Sequence, residues 1–359
     1  MPATRRDFLA AASAAVLAAG CGLSTSSRGS VETFAPSLVT GRQRLDPDLA
    51  LMVTPEGLTK TTLATFQRQT GVHVTVNTVR SDEALLLNLA AGQGKFDAIL
   101  VGADTLGIMV DQGQVEPLAG QFVTDRGDIQ SPFDDPPVDP GLAHSVPQDY
   151  TYDGVVINSG IHLAGDTWEA FYALPPIYPE RVLVPNDPDA VIGAALIATG
   201  HDWNTDSDAD LSDAEDLLKP LRGQLRVVTD PDRLGHGLAV AALTLALEHR
   251  DPPRGVRFFT PQDGTVVHVR HWAIPIYAPN PVSANVWVAN TIEPGNAAAQ
   301  STELARATPV EDALAHVPTD LLANPAVYPP SDEQIPLTYP DLSDDGLAKR
   351  AALWRELDL

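Results

Sequence analysis

Cysteine is nearly absent. Cys21 is the single one in 359 residues, so no disulfide can form within the chain and the fold must be held by its core alone. Positive charge is scarce as well: 23 Lys and Arg stand against 47 Asp and Glu, for a formal charge of −24. A chain this acidic lacks the electrostatic footprint of a nucleic-acid binder, and its acidity reads first as solubility. No apolar run after the first 20 residues approaches the roughly 18 to 20 needed to cross a bilayer as a helix. Signatures of catalysis are missing too: there is no Gly-x-Ser-x-Gly elbow, no phosphate-cradling glycine loop and no His-Glu-x-x-His pair. No internal repeat is present.

What is present begins at the N-terminus. Thr4-Arg5-Arg6-Asp7-Phe8-Leu9 leads into a small-apolar stretch, Ala10 to Ala19, and then Gly20-Cys21. A basic start, a short apolar core and a small-residue end form an export signal over residues 1–20. The arginine pair before Phe8-Leu9 resembles the twin-arginine signal, and Ala18-Ala19-Gly20-Cys21 resembles a bacterial lipobox, with Cys21 as the lipidated residue. An unmodified cysteine in an ordinary secretory signal is the alternative. Residues 21–45 then read as a tether, because Gly22 to Ser30 is small and polar and cannot build a core.

The chain as a whole has 44% hydrophobic and 19% charged residues, a globular composition, and the part after the export signal is longer than one compact core usually holds, so two lobes are expected. Strand and helix signals alternate. Leu58 to Gln69 places Leu63 and Phe66 on one helical face, Val72, Val74 and Val76 alternate as in a strand, and Ser81 caps a helix that ends at Gly92. Phe96 to Val101 reads as a buried strand and Thr105 to Gln112 as a helix closed by Gly113. Further on, strands are expected at Gly154–Asn158, Val182–Val184 and Leu225–Val228, and helices at Val191–Thr199, Leu238–His249 and Leu347–Leu359. Ser212-Asp213-Ala214-Glu215 has capping-box spacing and is expected to open a helix running to Leu221. Alternation of this kind implies a largely parallel sheet flanked by helices in each lobe, with ligands at the carboxyl ends of the strands.

Two metal-like patterns fail on inspection. Asp206-x-Asp208-x-Asp210 opens like a calcium loop, but Leu211 stands where the turn glycine belongs and Leu217 where the bidentate glutamate belongs. His268 and His271 are three apart in an extended segment and so face opposite sides. No metal and no cofactor is expected, and the chain is not read as an enzyme.

Seven segments in order resemble the extracellular solute-binding proteins of bacterial ABC importers, of the spermidine/putrescine type. They are Thr65 to Val74, Ser81 to Leu85, Lys95 to Leu100, Gln112 to Leu118, Asn186 to Gly200 with Asn204-Thr205-Asp206, Trp272-Ala273-Ile274-Pro275, and Ala307-Thr308-Pro309 with Asn324 to Pro330. The resemblance implies an α/β, two-lobed periplasmic-binding-protein fold with a ligand cleft between lobes, here residues 46–153 plus 272–308 and 158–266 plus 310–359. It implies solute capture outside the cytoplasm and delivery to a membrane permease, and no bond-making chemistry. Carried over by position, the ligand set is Asp104, Tyr150, Asp153, Asp187, His268 and Arg270. Polyamine recognition needs carboxylates for ammonium groups and aromatic faces for methylenes. Thr54, Gly57, Ala190 and Ala242 stand where the family carries larger or acidic groups, and Arg270 replaces a central carboxylate. A solute with an anionic group is therefore an open alternative, as is an anchored protein serving interaction or sensing without a ligand.

Overall fold

The structure, a computed structural model, describes residues 45–55, 57–92, 95–158, 160–228, 239–241, 256–329 and 335–359. The export signal, Cys21, nearly all of the tether and Ala242 lie outside the described residues. The strands, in chain order, are β1 (Asp48–Val53), β2 (His73–Thr78), β3 (Ala98–Gly102), β4 (Ser145–Tyr152), β5 (Val155–Asn158), β6 (Val182–Pro185), β7 (Leu225–Val228), β8 (Ala239–Ala241), β9 (Val256–Phe259), β10 (Thr265–Ala273) and β11 (Leu337–Thr338). Two compact units emerge. The first takes the described residues through Gln148, with Arg270–Gln300 and Pro309–His316; the second takes Asp149–Val269, Ser301–Thr308 and Val317–Leu359.

In the first unit β1 is central. It pairs in parallel with β2 and β3, and Arg270–Ala273 of β10 lies antiparallel on the far side of β3. Leu49, Leu51, Met52 and Val53 are all buried, the continuous apolar run of a strand covered on both faces. The helix Lys60–Thr70 is capped by Thr59, whose side chain accepts from Thr62 N, and it stops at Gly71, where φ is +74°. Its buried Phe66 meets Trp287 edge-on at 4.9 Å, and Trp287 meets Trp272 at 5.4 Å, the arrangement ring quadrupoles favour. Ser81 caps the helix Asp82–Ala91 as expected. The helix after β3 spans Ala103–Asp111 and starts two residues earlier than the sequence suggested, with Gly102 at its N-cap.

In the second unit the strand order is β7-β6-β8-β5-β9. β6 pairs in parallel with β7 and β8, whereas β5 pairs antiparallel with β8 and β9, so this sheet is half antiparallel rather than mostly parallel. Parallel β11 adds to the first residues of β10. The helix Pro188–Ala198 buries Val191, Ile192, Ala194, Ala195 and Leu196 against Trp168, Phe171 and Tyr172. Trp203 packs closely against its Gly193, where an added Cβ would sit 1.9 Å from Trp203 Nε1. The C-terminal helix Asp344–Leu357 turns Leu353 and Leu357 inward, as its amphipathic pattern requires, and buries Arg350 with them.

Three expectations are corrected. The helix assigned to the Ser212 capping box spans Asp208–Leu218 and is capped by Ser207. Asp208 and Asp210 sit in its first turn, where carboxylates are stabilised by the helix dipole, and Leu211, Ala214 and Leu218 form its buried stripe. Ser212 is therefore interior. Of the helix expected over Leu238–His249, the described residues Ala239–Ala241 form β8 between β6 and β5, and the remainder lies outside the described residues; a short apolar run has no periodicity to separate buried strand from helix. Finally, two segments near the C-terminal boundaries divide differently. Ser301–Thr308 goes with the second unit, tied by an Ala307–Tyr150 bridge and an Arg306–Asp149 pair, whereas Pro309–His316 goes with the first, tied by a Val310–Ile129 bridge.

Candidate functional site

In the first unit the carboxyl ends of β1 and β3 carry the candidate residues. Asp104 is exposed in the first helical turn after β3, a position that favours a negative side chain. The turn beneath it is fixed by Asp82, whose Oδ2 accepts from Gly102 N at 2.8 Å. Arg270 stands opposite Gly102 in the β10–β3 register and is half-buried, while its neighbour His271 is fully buried and bonded through Nδ1 to Ser145 Oγ at 3.1 Å. This end of the unit thus carries both signs of charge, with Arg270 across from the strand end that leads into Asp104.

The loop after β1 is held shut from behind. Gly57 O accepts from Gln148 Nε2 at 3.0 Å and from Gln300 Nε2 at 3.2 Å, and Gln300 Oε1 in turn accepts from Thr62 Oγ1 at 2.8 Å. A Cβ on Gly57 would lie 2.9 Å from Leu100 Cδ2 and from Thr54 O, closer than side-chain atoms approach without displacement. The absence of a bulky residue at 57 is thus a packing requirement of this loop.

In the second unit Asp153 and His268 come together. His268 Nε2 lies 3.1 Å from Asp153 Oδ1; the aspartate side chain is 9% exposed and the imidazole 42%. Asp153 is fixed by its backbone, with its N–H donating to Val266 O at 3.1 Å and its carbonyl accepting from Thr265 Oγ1 at 2.7 Å. Tyr150 is buried in the second unit, at 3% exposure, with its N–H on Ala307 O at 2.9 Å, and burial drives its phenol pKa well above the ordinary range. Asp187 is exposed and caps the helix Pro188–Ala198, its Oδ1 accepting from Asp189 N at 3.0 Å and Ala190 N at 3.3 Å.

Sequence reasoning missed three charged residues in this unit, Arg350, Asp149 and Arg306. Arg350 lies over the Trp203 ring at 4.6 Å and donates to Asp189 O at 3.3 Å and to Trp203 O. Burial pushes its pKa down to about 10 against the pull of Asp189, Asp187 and Asp202, so it stays charged at neutral pH beneath the Asp187 cap. Asp149 and Arg306 form a buried pair at 2.8 Å across a sequence separation that no local pattern could signal. The acidic segment singled out by spacing is occupied from within the chain: Lys349 Nζ lies 2.8 Å from Asp208 Oδ1 and donates to Asp206 O. Among the described residues no group of three His, Cys, Asp or Glu is placed to hold a metal ion.

Residues 53–219 match the family model of bacterial extracellular solute-binding proteins. The chain is 24% identical over 296 residues to the spermidine/putrescine-binding periplasmic protein 1 of Haemophilus influenzae, covering 77% of this chain and 78% of that one. Among solved structures, the spermidine/putrescine ABC transporter substrate-binding protein PotD of Streptococcus pneumoniae superposes with a TM-score of 0.80 at 19% identity, over 87% of this chain and 98% of that chain. The periplasmic binding protein AgtB of A. tumefaciens R10, solved with agropinic acid, superposes with a TM-score of 0.58 at 17% identity, over 86% and 98%. Among the described residues no helix is long and apolar enough to cross a membrane. The chain thus resembles the bacterial extracellular solute-binding proteins in sequence and shares their α/β fold.

Proposed function

We propose that this chain is the solute-capturing component of an ABC importer, binding a polyamine-type cation outside the cytoplasm and handing it to the membrane permease. The observation that carries the reading is the likeness to a spermidine/putrescine-binding periplasmic protein across three quarters of the chain. Three carboxylates, Asp104, Asp153 and Asp187, supply the charge an ammonium group seeks. Asp104 and Asp187 are exposed and Asp153 is largely covered. Tyr150, buried in the second unit, is the aromatic member of the set. The work is capture and release without bond chemistry. Export follows the twin-arginine route, and a lipid on Cys21 tethers the protein near its permease. A Cys21→Ser variant that stays with the membrane fraction would refute the tether.

One observation favours a second reading. Arg270 is a half-buried guanidinium opposite the Asp104 strand end, and a planar, permanently charged fork suits a carboxylate. A solute bearing both an amine and an acid would set its acid on Arg270 and its amine on Asp104 of the same unit, and AgtB, of the same fold, was solved with an acid.

The test is thermal denaturation of the mature chain with spermidine, putrescine and a panel of zwitterionic amino acids. A ligand selective for the folded state raises its stability by about 2.7 kcal/mol at a hundredfold excess over Kd. A concentration-dependent rise with the polyamines supports the first reading, and a rise with zwitterions alone supports the second. No rise with any of them counts against both and leaves an anchored interaction or sensing role.

A further inference from the structure

We infer that His268 is a specificity-determining residue that makes cation capture at Asp153 depend on pH. The inference rests on the cation-binding reading above and adds to it a competitor built into the site. The main chain of Asp153 is fixed through its N–H and its carbonyl, its carboxylate is almost covered, and its partner His268 is far more exposed. The imidazole therefore lies on the solvent side of the carboxylate. With a neutral ring, Nε2–H donates to Oδ1 and the pair carries one negative charge. With a protonated ring the pair is neutral, and an incoming ammonium group loses its counter-charge.

The charged and titratable neighbours leave that switch in place. Arg270 follows two residues along on the partly exposed face of β10 and stays positive at every pH considered. Tyr172 lies near Asp153 from the helix Trp168–Tyr172, and its phenol is kept neutral by burial and by the aspartate charge, while its hydroxyl donates to Val191 O at 2.8 Å. Of these groups the imidazole is the one whose charge changes between pH 5 and 8. By linkage the effect is reciprocal: a solute cation that binds tenfold less well to the protonated site lowers the histidine's titration midpoint by about one pH unit.

The probe is putrescine, which keeps both ammonium groups protonated throughout. Calorimetric titration of the full mature chain at pH 7.5 and 5.5 is expected to show about tenfold weaker binding at the lower pH. His268→Gln keeps an amide donor toward Asp153 and removes the charge, and it should bind with the same affinity at both values. Equal wild-type affinity at both pH values overturns the role of His268 but leaves solute capture intact, as does a tenfold change that persists in His268→Gln. Failure of putrescine to bind at either pH removes both the polyamine reading and the competition. Should the variant not fold, NMR titration of the wild-type imidazole with and without putrescine decides: a downward displacement of about one pH unit is expected, and none would overturn the proposal.

Discussion

Replacing Gly193 with alanine should destabilise the second unit by about 3 kcal/mol, and the direction of the change is diagnostic. In an open helix interior, alanine is the better residue by roughly 0.5–1 kcal/mol, because glycine loses more backbone entropy on folding. Gly193 lies inside the helix Pro188–Ala198, so propensity alone predicts a gain. The indole of Trp203 reverses that sign. A Cβ would fall 1.9 Å from Nε1, 2.4 Å from Cδ1 and 2.6 Å from Cε2, and the ring is no flexible end: it is 4% exposed, with the Arg350 guanidinium on its face. Pushing it aside disturbs the guanidinium's bonds to Asp189 O and Trp203 O and, with them, the helix start at Asp187. Thermal unfolding should register a fall of roughly 10 °C for a unit of this size. A variant as stable as the wild type, or more stable, would mean that Trp203 does not pack on this helix.

Raising the pH should unfold the second unit cooperatively near pH 12. Tyr150, Tyr152 and Tyr172 all lie in this unit and are nearly inaccessible. Burial pushes each phenol's pKa far above its ordinary value, with further upward pushes from Tyr328 and Tyr152 on Tyr150 and from Asp153 on Tyr172. A raised folded pKa means that the folded state holds its proton when the unfolded chain would release it. That contribution is fully present below about pH 10, the unfolded value, and is lost as pH rises beyond it. Each suppressed phenol costs about 1.4 kcal/mol per pH unit, so three together cost about 4 kcal/mol per unit. Two units then remove about 8 kcal/mol, comparable to a total stability on the order of 5–15 kcal/mol. Circular dichroism and phenolate absorbance should therefore change together, with at least three of the seven tyrosines ionising only as structure is lost. Ionisation of all seven near pH 10 with the fold intact would contradict the buried placement.

Signals that sit within one turn or one strand were legible in the sequence. Ser81 before Asp82 and Glu83 marks its helix because hydroxyl and carboxylates answer the same unpaired N–H groups. Gly71, Gly113 and Gly200 mark stops because their backbones take positive φ. Ser212 misled because it satisfies a capping-box pattern that Ser207 meets first, and once a helix has begun at Asp208 a serine four residues on merely continues it. Site residues separated less clearly. The alternation along β10 places His268 and Arg270 on the accessible face and Val269 and His271 inside, and this could be read from period two alone. Tyr150 could not be placed that way, since every residue of β4 is buried. Asp149 with Arg306, and Arg350 beneath Asp187, are pairings made by tertiary folding, and no local pattern announces them.

Capture of a cationic solute is decided by calorimetric titration of the mature protein and of Arg270→Asp with spermidine. Saturable binding of spermidine by the wild type is expected, strengthened about tenfold or more in Arg270→Asp, where a fixed positive charge near the solute is replaced by a negative one. Absence of spermidine binding by both proteins, with each folded, would contradict it.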